Sequence, residues 1–225
     1  MVECSCMLLL IALSLLFISL FLLIRAVLKQ DIKRIYIFKP FSTILILLIC
    51  LLSLFQPNVN MFYTAIILMG LIFSLGGDIV LILPLAKAFF IGLLFFIMTH
   101  LIYGIGFTWF NGFFWQDAFS AAIIVLLSTI IYAYLYPSLE KVKLAVAFYV
   151  LIISFMVWRA VSVLFGTAFT PAQAGLIISG AILFYMADAL EAFYRFKNQI
   201  VRLRAVYLSF YYAGQLLIAL STFGF

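Results

Sequence analysis

Two aspartates lie inside apolar stretches of this chain, Asp78 in GLIFSLGGDIVLIL and Asp188 in GAILFYMADALEAF. An ionised carboxylate in hydrocarbon is costly, so such residues face a cavity or a partner. A buried carboxyl can give a proton, take one, or carry an ion, and two together can run both halves of an acid–base reaction. Asp78 stands six residues before Pro84, and Asp188 about as far before the basic run that begins at Arg195. At 1.5 Å per residue both sit roughly 9 Å below one boundary. The matched depth predicts one shared polar pocket used for catalysis or transport. The plainer alternative has each aspartate capping or bonding a neighbouring helix.

Other polar residues in apolar surroundings carry weaker signals. His100 is the only histidine, in FFIMTHLIYGIGF, with Tyr103 one turn on along the same face. Catalysis and a histidine bonded between helices both stay open. Zinc hydrolases need about three protein ligands, commonly histidines, so a zinc site is poorly supported and no metal is expected. Arg159, in SFMVWRAVS, pairs with a carboxylate, lines a polar cavity, or snorkels outward. Tyr211 and Gln215, one turn apart in YLSFYYAGQLL, orient water or substrate, or bond helix to helix. Glu191 lies near the interface and reads as solvated. Cys4 and Cys6 are too close for an ordinary disulfide and Cys50 falls within a helix, so no bridge, metal or redox role is expected. Serine-esterase, ATPase and Rossmann readings lack their motifs.

Apolar residues make up 69% of the 225 positions and charged residues 9%. That composition specifies an all-α polytopic membrane protein, a single transmembrane domain over 1–225 with almost no soluble portion. Windows of about 20 apolar residues cross roughly 30 Å of hydrocarbon. Eight can be laid along the chain, near 7–24, 41–55, 62–83, 88–110, 118–136, 144–165, 173–192 and 206–224. The second reads as short, and 25–40 reads as a basic loop. The first reads as a helix, since neither a basic leader nor a small-residue cleavage site marks a signal peptide. Of the 13 lysines and arginines, all but Arg159 fall between windows 1 and 2, 3 and 4, 5 and 6, or 7 and 8. The positive-inside rule puts those connections in the cytoplasm and both termini on the exoplasmic side. Topology therefore accounts for the basic excess, and no nucleic-acid partner is needed.

These residues resemble the YhhN-like membrane family, whose animal members are lysoplasmalogenases. The blocks are KPFSTILILL at 39–48, GDIVLIL at 77–83, FFIGLLFFIMTHLIYGIGF at 89–107, YVLIISFMVWRA at 149–160, GAILFYMADALEAFYRF at 180–196 and YYAGQLL at 211–217. The resemblance implies eight transmembrane helices and hydrolysis of the vinyl-ether bond of lysoplasmalogens to a fatty aldehyde and a glycerophospho-headgroup. It places the family's glycine-aspartate element on Gly77 and Asp78 and its second aspartate on Asp188. Its histidine and tyrosine fall on His100 and Tyr103, and its lysine-proline element on Lys39 and Pro40. One departure is Ala187, where the family often has serine, which removes a hydroxyl beside Asp188.

Vinyl-ether hydrolysis begins with proton transfer to carbon and passes through an oxocarbenium-like cation that water traps. One carboxyl as acid and one as base suffice, and the reaction needs no metal or organic cofactor. Asp78 and Asp188 are thus the expected catalytic pair, with His100, Tyr103, Lys39, Arg159, Tyr211 and Gln215 in supporting or substrate-binding places. The basic run beside Asp188 assigns the acid role to Asp78. Lys39, Lys87 or Arg195 would meet the phosphate of a lysophospholipid at the rim. A proton-coupled transporter, a lipid-binding membrane protein, or a lipid hydrolase acting on another bond would use the same residues. The expected home is a bacterial inner membrane. Single cysteines introduced at position 198 and at the C-terminal end should label from opposite faces; labelling from one face overturns the topology.

Overall fold

The computed structural model describes residues 2–85 and 87–224, with side chains from Met7 onward. The helices are α1 (Val2–Leu28), α2 (Ile32–Leu52), α3 (Met61–Ile82), α4 (Ala88–Asn111), α5 (Asp117–Leu135), α6 (Lys143–Ser162), α7 (Pro171–Phe196) and α8 (Val201–Leu220). Among the described residues, all eight are long and apolar enough to cross a bilayer. Cys4 and Cys6 have side chains outside the described residues, and Cys50 is a buried thiol.

Local chemistry sets the starts of several helices. Asp31 accepts the backbone N–H of Arg34 at the head of α2, and Asn60 that of Tyr63 at the head of α3. Thr170 and Gln173 form a reciprocal capping box on α7, with Pro171 in the first turn where its missing N–H costs nothing. The cap at Asp31 corrects the sequence reading of 25–40. That stretch is helical apart from Lys29, Gln30 and Asp31, and α2 begins nine residues before its apolar window. Hydropathy windows stop at charges, whereas a capped helix carries them on long side chains that reach past the apolar boundary. Lys39 therefore sits on a helix, and α2 is 21 residues long.

The chain packs mainly as sequential antiparallel pairs, α1 on α2, α3 on α4 and α7 on α8, with α6 against α4. The α7–α8 contact is the most extensive. Without a hydrophobic driving force in lipid, small residues that let backbones approach supply the packing energy. A Cβ on Gly214 would stand 2.7 Å from the carbonyl oxygen of Gly180, and one on Gly180 would stand 2.9 Å from that of Gly214. Helices α2, α3, α4, α6, α7 and α8 surround a polar interior, α1 covers α2 and α8, and α5 covers α6. Gly214→Ala should lower stability by about 1–3 kcal/mol in detergent thermal unfolding, because backbone cannot move aside. Gly175→Ala, with nothing within 4 Å of the new methyl, should lose none, since alanine is the better helix former. Equal behaviour of the two variants overturns the close contact.

Candidate functional site

Asp78 lies in the last turns of α3 and is almost fully buried. Thr43 Oγ1 donates to its Oδ2 at 2.5 Å and the Tyr211 hydroxyl donates to the same oxygen at 2.8 Å. The Lys39 ammonium sits 3.1 Å from Oδ1. Lys39 and Thr43 are four residues apart on α2, so one helical face presents both. The Tyr212 hydroxyl donates to the Lys39 carbonyl at 2.8 Å and ties α8 to α2. Lys39 is buried here, not at the rim where a phosphate would meet it, because Asp78 offers the partner that an ammonium in hydrocarbon requires.

Asp188, on α7, has different company. The Tyr149 hydroxyl of α6 donates to its Oδ2 through a short hydrogen bond. His100 Nε2 of α4 lies 3.1 Å from the same oxygen and 3.0 Å from the Tyr149 hydroxyl. Tyr149 spends its proton on Asp188, so Nε2 is the ring nitrogen that carries hydrogen in this arrangement. Ala187 is buried next to Asp188 and offers no hydroxyl, and Tyr149 and His100 supply the donors instead. Glu191, one turn beyond, pairs with Arg195 at 2.9 Å.

The two aspartates line one small polar cavity of about 10 Å³, together with Lys39, Ala187, Glu191, Tyr207 and Tyr211. Beside it lies an apolar cavity of about 90 Å³ between α4, α5, α6 and α7, bounded by Tyr149, Asp188, Glu191 and Arg195 on its polar edge. Phe96, Asp188 and Glu191 belong to both. Tyr103 and His100 share a helix but serve separate networks. The Tyr103 hydroxyl donates to Gln215 Oε1 at 3.0 Å, and Gln215 Nε2 donates to Ser74 Oγ at 2.6 Å, joining α3, α4 and α8 behind the site. Among the described residues no three histidines, cysteines, aspartates or glutamates gather as metal ligands would.

The family model described as the YhhN family matches residues 34–222, a span that holds every residue of these clusters. The chain belongs to the YhhN family. Lysoplasmalogenase TMEM86A of Bos taurus is 39% identical over 160 residues, 69% of this chain and 64% of that protein. Lysoplasmalogenase TMEM86A of Homo sapiens is 36% identical over the same shares. Lysoplasmalogenase TMEM86B of Homo sapiens is 34% identical over 71% of this chain and 64% of its own length. The matched region thus spans just under two thirds of these curated relatives. No solved structure matches. With eight apolar helices and this family membership, the protein is an integral membrane protein.

Sequence reasoning did not single out Tyr149, Thr43 or Tyr212. Thr43 had a signal, one turn from Lys39 in the same block, whereas Tyr149 is one of 12 tyrosines and carries none. It also missed Asp117, which answers the question left open at Arg159. Arg159 is fully buried near the end of α6 and pairs with Asp117 at 2.9 Å. It also donates to Thr108 Oγ1 at 2.9 Å and to the Gly112 carbonyl, with its guanidinium 4.3 Å from the Phe113 ring centre. This cluster pins the α4–α5 turn and lines neither cavity. Asp117→Ala should cost about 3–5 kcal/mol by stranding a buried cation. Replacing both Asp117 and Arg159 by apolar residues should recover part of that loss in the same unfolding assay; no recovery overturns the pairing.

Proposed function

We propose that this protein hydrolyses the vinyl-ether bond of lysoplasmalogens, releasing a fatty aldehyde and a glycerophospho-headgroup. The observation that carries this reading is the meeting of Asp78 and Asp188, from separate helices, at one small cavity beside an apolar one. The names of the relatives point the same way. Residues 1–225 act as one transmembrane unit, with the basic turns in the cytoplasm and the termini on the exoplasmic side.

The reaction asks for a proton at an alkenyl carbon, stabilisation of the resulting cation, and activation of water. Two carboxyls in unlike surroundings divide into acid and base, and the surroundings here differ. Asp78 meets an ammonium and two hydroxyl donors, while Asp188 meets a phenol and an imidazole. Tyr149, Thr43 and Tyr211 act as positioning residues, fixing the carboxyls through hydrogen bonds. His100 steadies Asp188, and Tyr103 with Gln215 braces the helices behind.

The test is mass spectrometry of purified protein incubated with a lysolipid panel that includes lysoplasmalogen. Aldehyde release supports the reading, and intact lipid across the panel turns it toward transport or binding. Asp78→Asn and Asp188→Asn should each lose about 10²–10⁴-fold or more of the activity, and His100→Gln should lose less. Substantial turnover in either asparagine variant, with folded protein matched, overturns the two-carboxylate mechanism. The pH–rate profile should be bell-shaped, with both limbs belonging to the coupled pair. A profile flat across the carboxylate range contradicts it.

A further inference from the structure

The two cavities differ in size and lining and meet at one aspartate. The wall of the larger is mostly hydrocarbon, from residues such as Leu93, Val146, Val150, Ile153 and Ala192. It follows α7 from Tyr185 to Phe196, about 16 Å at 1.5 Å per residue. The smaller, about 10 Å³, is walled by Lys39, Asp78 and Tyr211 and has room for about one water. Asp188 lines both.

We propose that the larger cavity is the subsite for the single hydrocarbon chain of the substrate, and that Asp188 is the proton donor to its alkenyl carbon. This rests on the vinyl-ether reading above. An elongated apolar cavity binds hydrocarbon by removing it from contact with polar groups, and its few polar residues fix orientation. The adjoining cavity is polar and water-sized, so it offers no place for a second chain. Asp188, Glu191 and Arg195 follow one face of α7 at helical spacing, and they form the polar edge. A chain lying in the cavity brings its headgroup linkage to that edge, with the alkenyl carbons beside Asp188 and with Arg195, the cation on that edge, for a phosphate.

The contacts of each carboxyl fit these roles. Tyr149 and His100 both address Oδ2 of Asp188, which leaves Oδ1 for the proton. Asp78 is surrounded by an ammonium and two donating hydroxyls, the setting of a base that acts on water in the small cavity. Asp188 transfers its proton to the alkenyl carbon, and the double-bond electrons form the new C–H bond. Water adds to the cationic carbon and gives a proton to Asp78, forming a hemiacetal. The bond to the glyceryl oxygen then breaks; Asp78 protonates that oxygen, and Asp188 takes the hemiacetal hydroxyl proton as the aldehyde forms. Both carboxyls end as they began. This reverses the assignment from sequence, which weighed the basic run after Asp188 and had no way to know that Lys39 lies against Asp78.

Val150→Phe and Ala192→Phe narrow the larger cavity and leave every residue that bonds to either aspartate unchanged. With alkenyl lysolipids of short and long chain, both variants should raise the ratio of long-chain to short-chain KM by at least about tenfold. An unchanged long-to-short ratio in both variants overturns the chain subsite. Binding of a saturated-ether lysolipid, read by native mass spectrometry, needs no turnover. If wild type cleaves nothing yet binds this probe, and the phenylalanine variants lose it, the subsite stands and the reaction falls. For the donor role, each asparagine variant is incubated with lysoplasmalogen in deuterated water and the substrate recovered. Asp78→Asn should exchange deuterium into the alkenyl carbon without releasing aldehyde, since Asp188 still protonates it, and Asp188→Asn should not. The opposite pattern overturns the assignment.

Discussion

Charge in hydrocarbon must be matched where it stands, and the Lys39–Asp78 pair is the point from which much of the interior follows. Removing one partner of a buried pair leaves an uncompensated ion, at a cost of about 3–5 kcal/mol. The pair therefore binds α2 to α3, and Thr43 and Tyr211 donate to the other carboxylate oxygen. Tyr212 extends the tie by closing on the Lys39 carbonyl. Helices α2, α3 and α8 are thereby held around one carboxylate, while α1 and α5 serve as outer cover.

Among the described residues, the two buried cations have contrasting surroundings. Arg159 is enclosed by Asp117, a hydroxyl, a backbone carbonyl and an aromatic ring, an arrangement suited to holding a turn. Lys39 and its carboxylate partner border a cavity, as does Asp188. Between these ends, the Tyr103–Gln215–Ser74 chain of hydrogen bonds links α3, α4 and α8. Polar groups thus stiffen the far end and the middle, and near the basic turns Lys39, Asp78 and Asp188 face a cavity.

Hydropathy revealed the eight helices because spans of this length leave a plain apolar record. It misplaced the start of α2 because Lys33, Arg34 and Lys39 interrupt that record without interrupting the helix. Asp78 and Asp188 stood out because carboxylates in apolar runs are rare. Tyr149 did not, since a tyrosine in a membrane helix is unremarkable until a neighbour gives its hydroxyl a purpose. Asp117 was hidden at the edge of its window, where an acid reads as solvated. Lys39 was visible as a residue but not as a partner, because pairing between α2 and α3 is a property of packing and leaves no trace in spacing.

The backbone contact at Gly180 and Gly214 has a mechanical consequence. Helices α7 and α8 touch backbone to backbone there and share the most extensive contact in the fold, so they act as one lever. That lever carries Asp188 on one arm and Tyr211 on the other, and each is hooked to a different support, His100 on α4 and Asp78 on α3. Since α3 and α4 are themselves closely packed, the site is a joint between two stiff pairs. Any displacement wide enough to enlarge the space between the aspartates must load both hooks together, so widening the gap and loosening the grip on the carboxyls become a single motion.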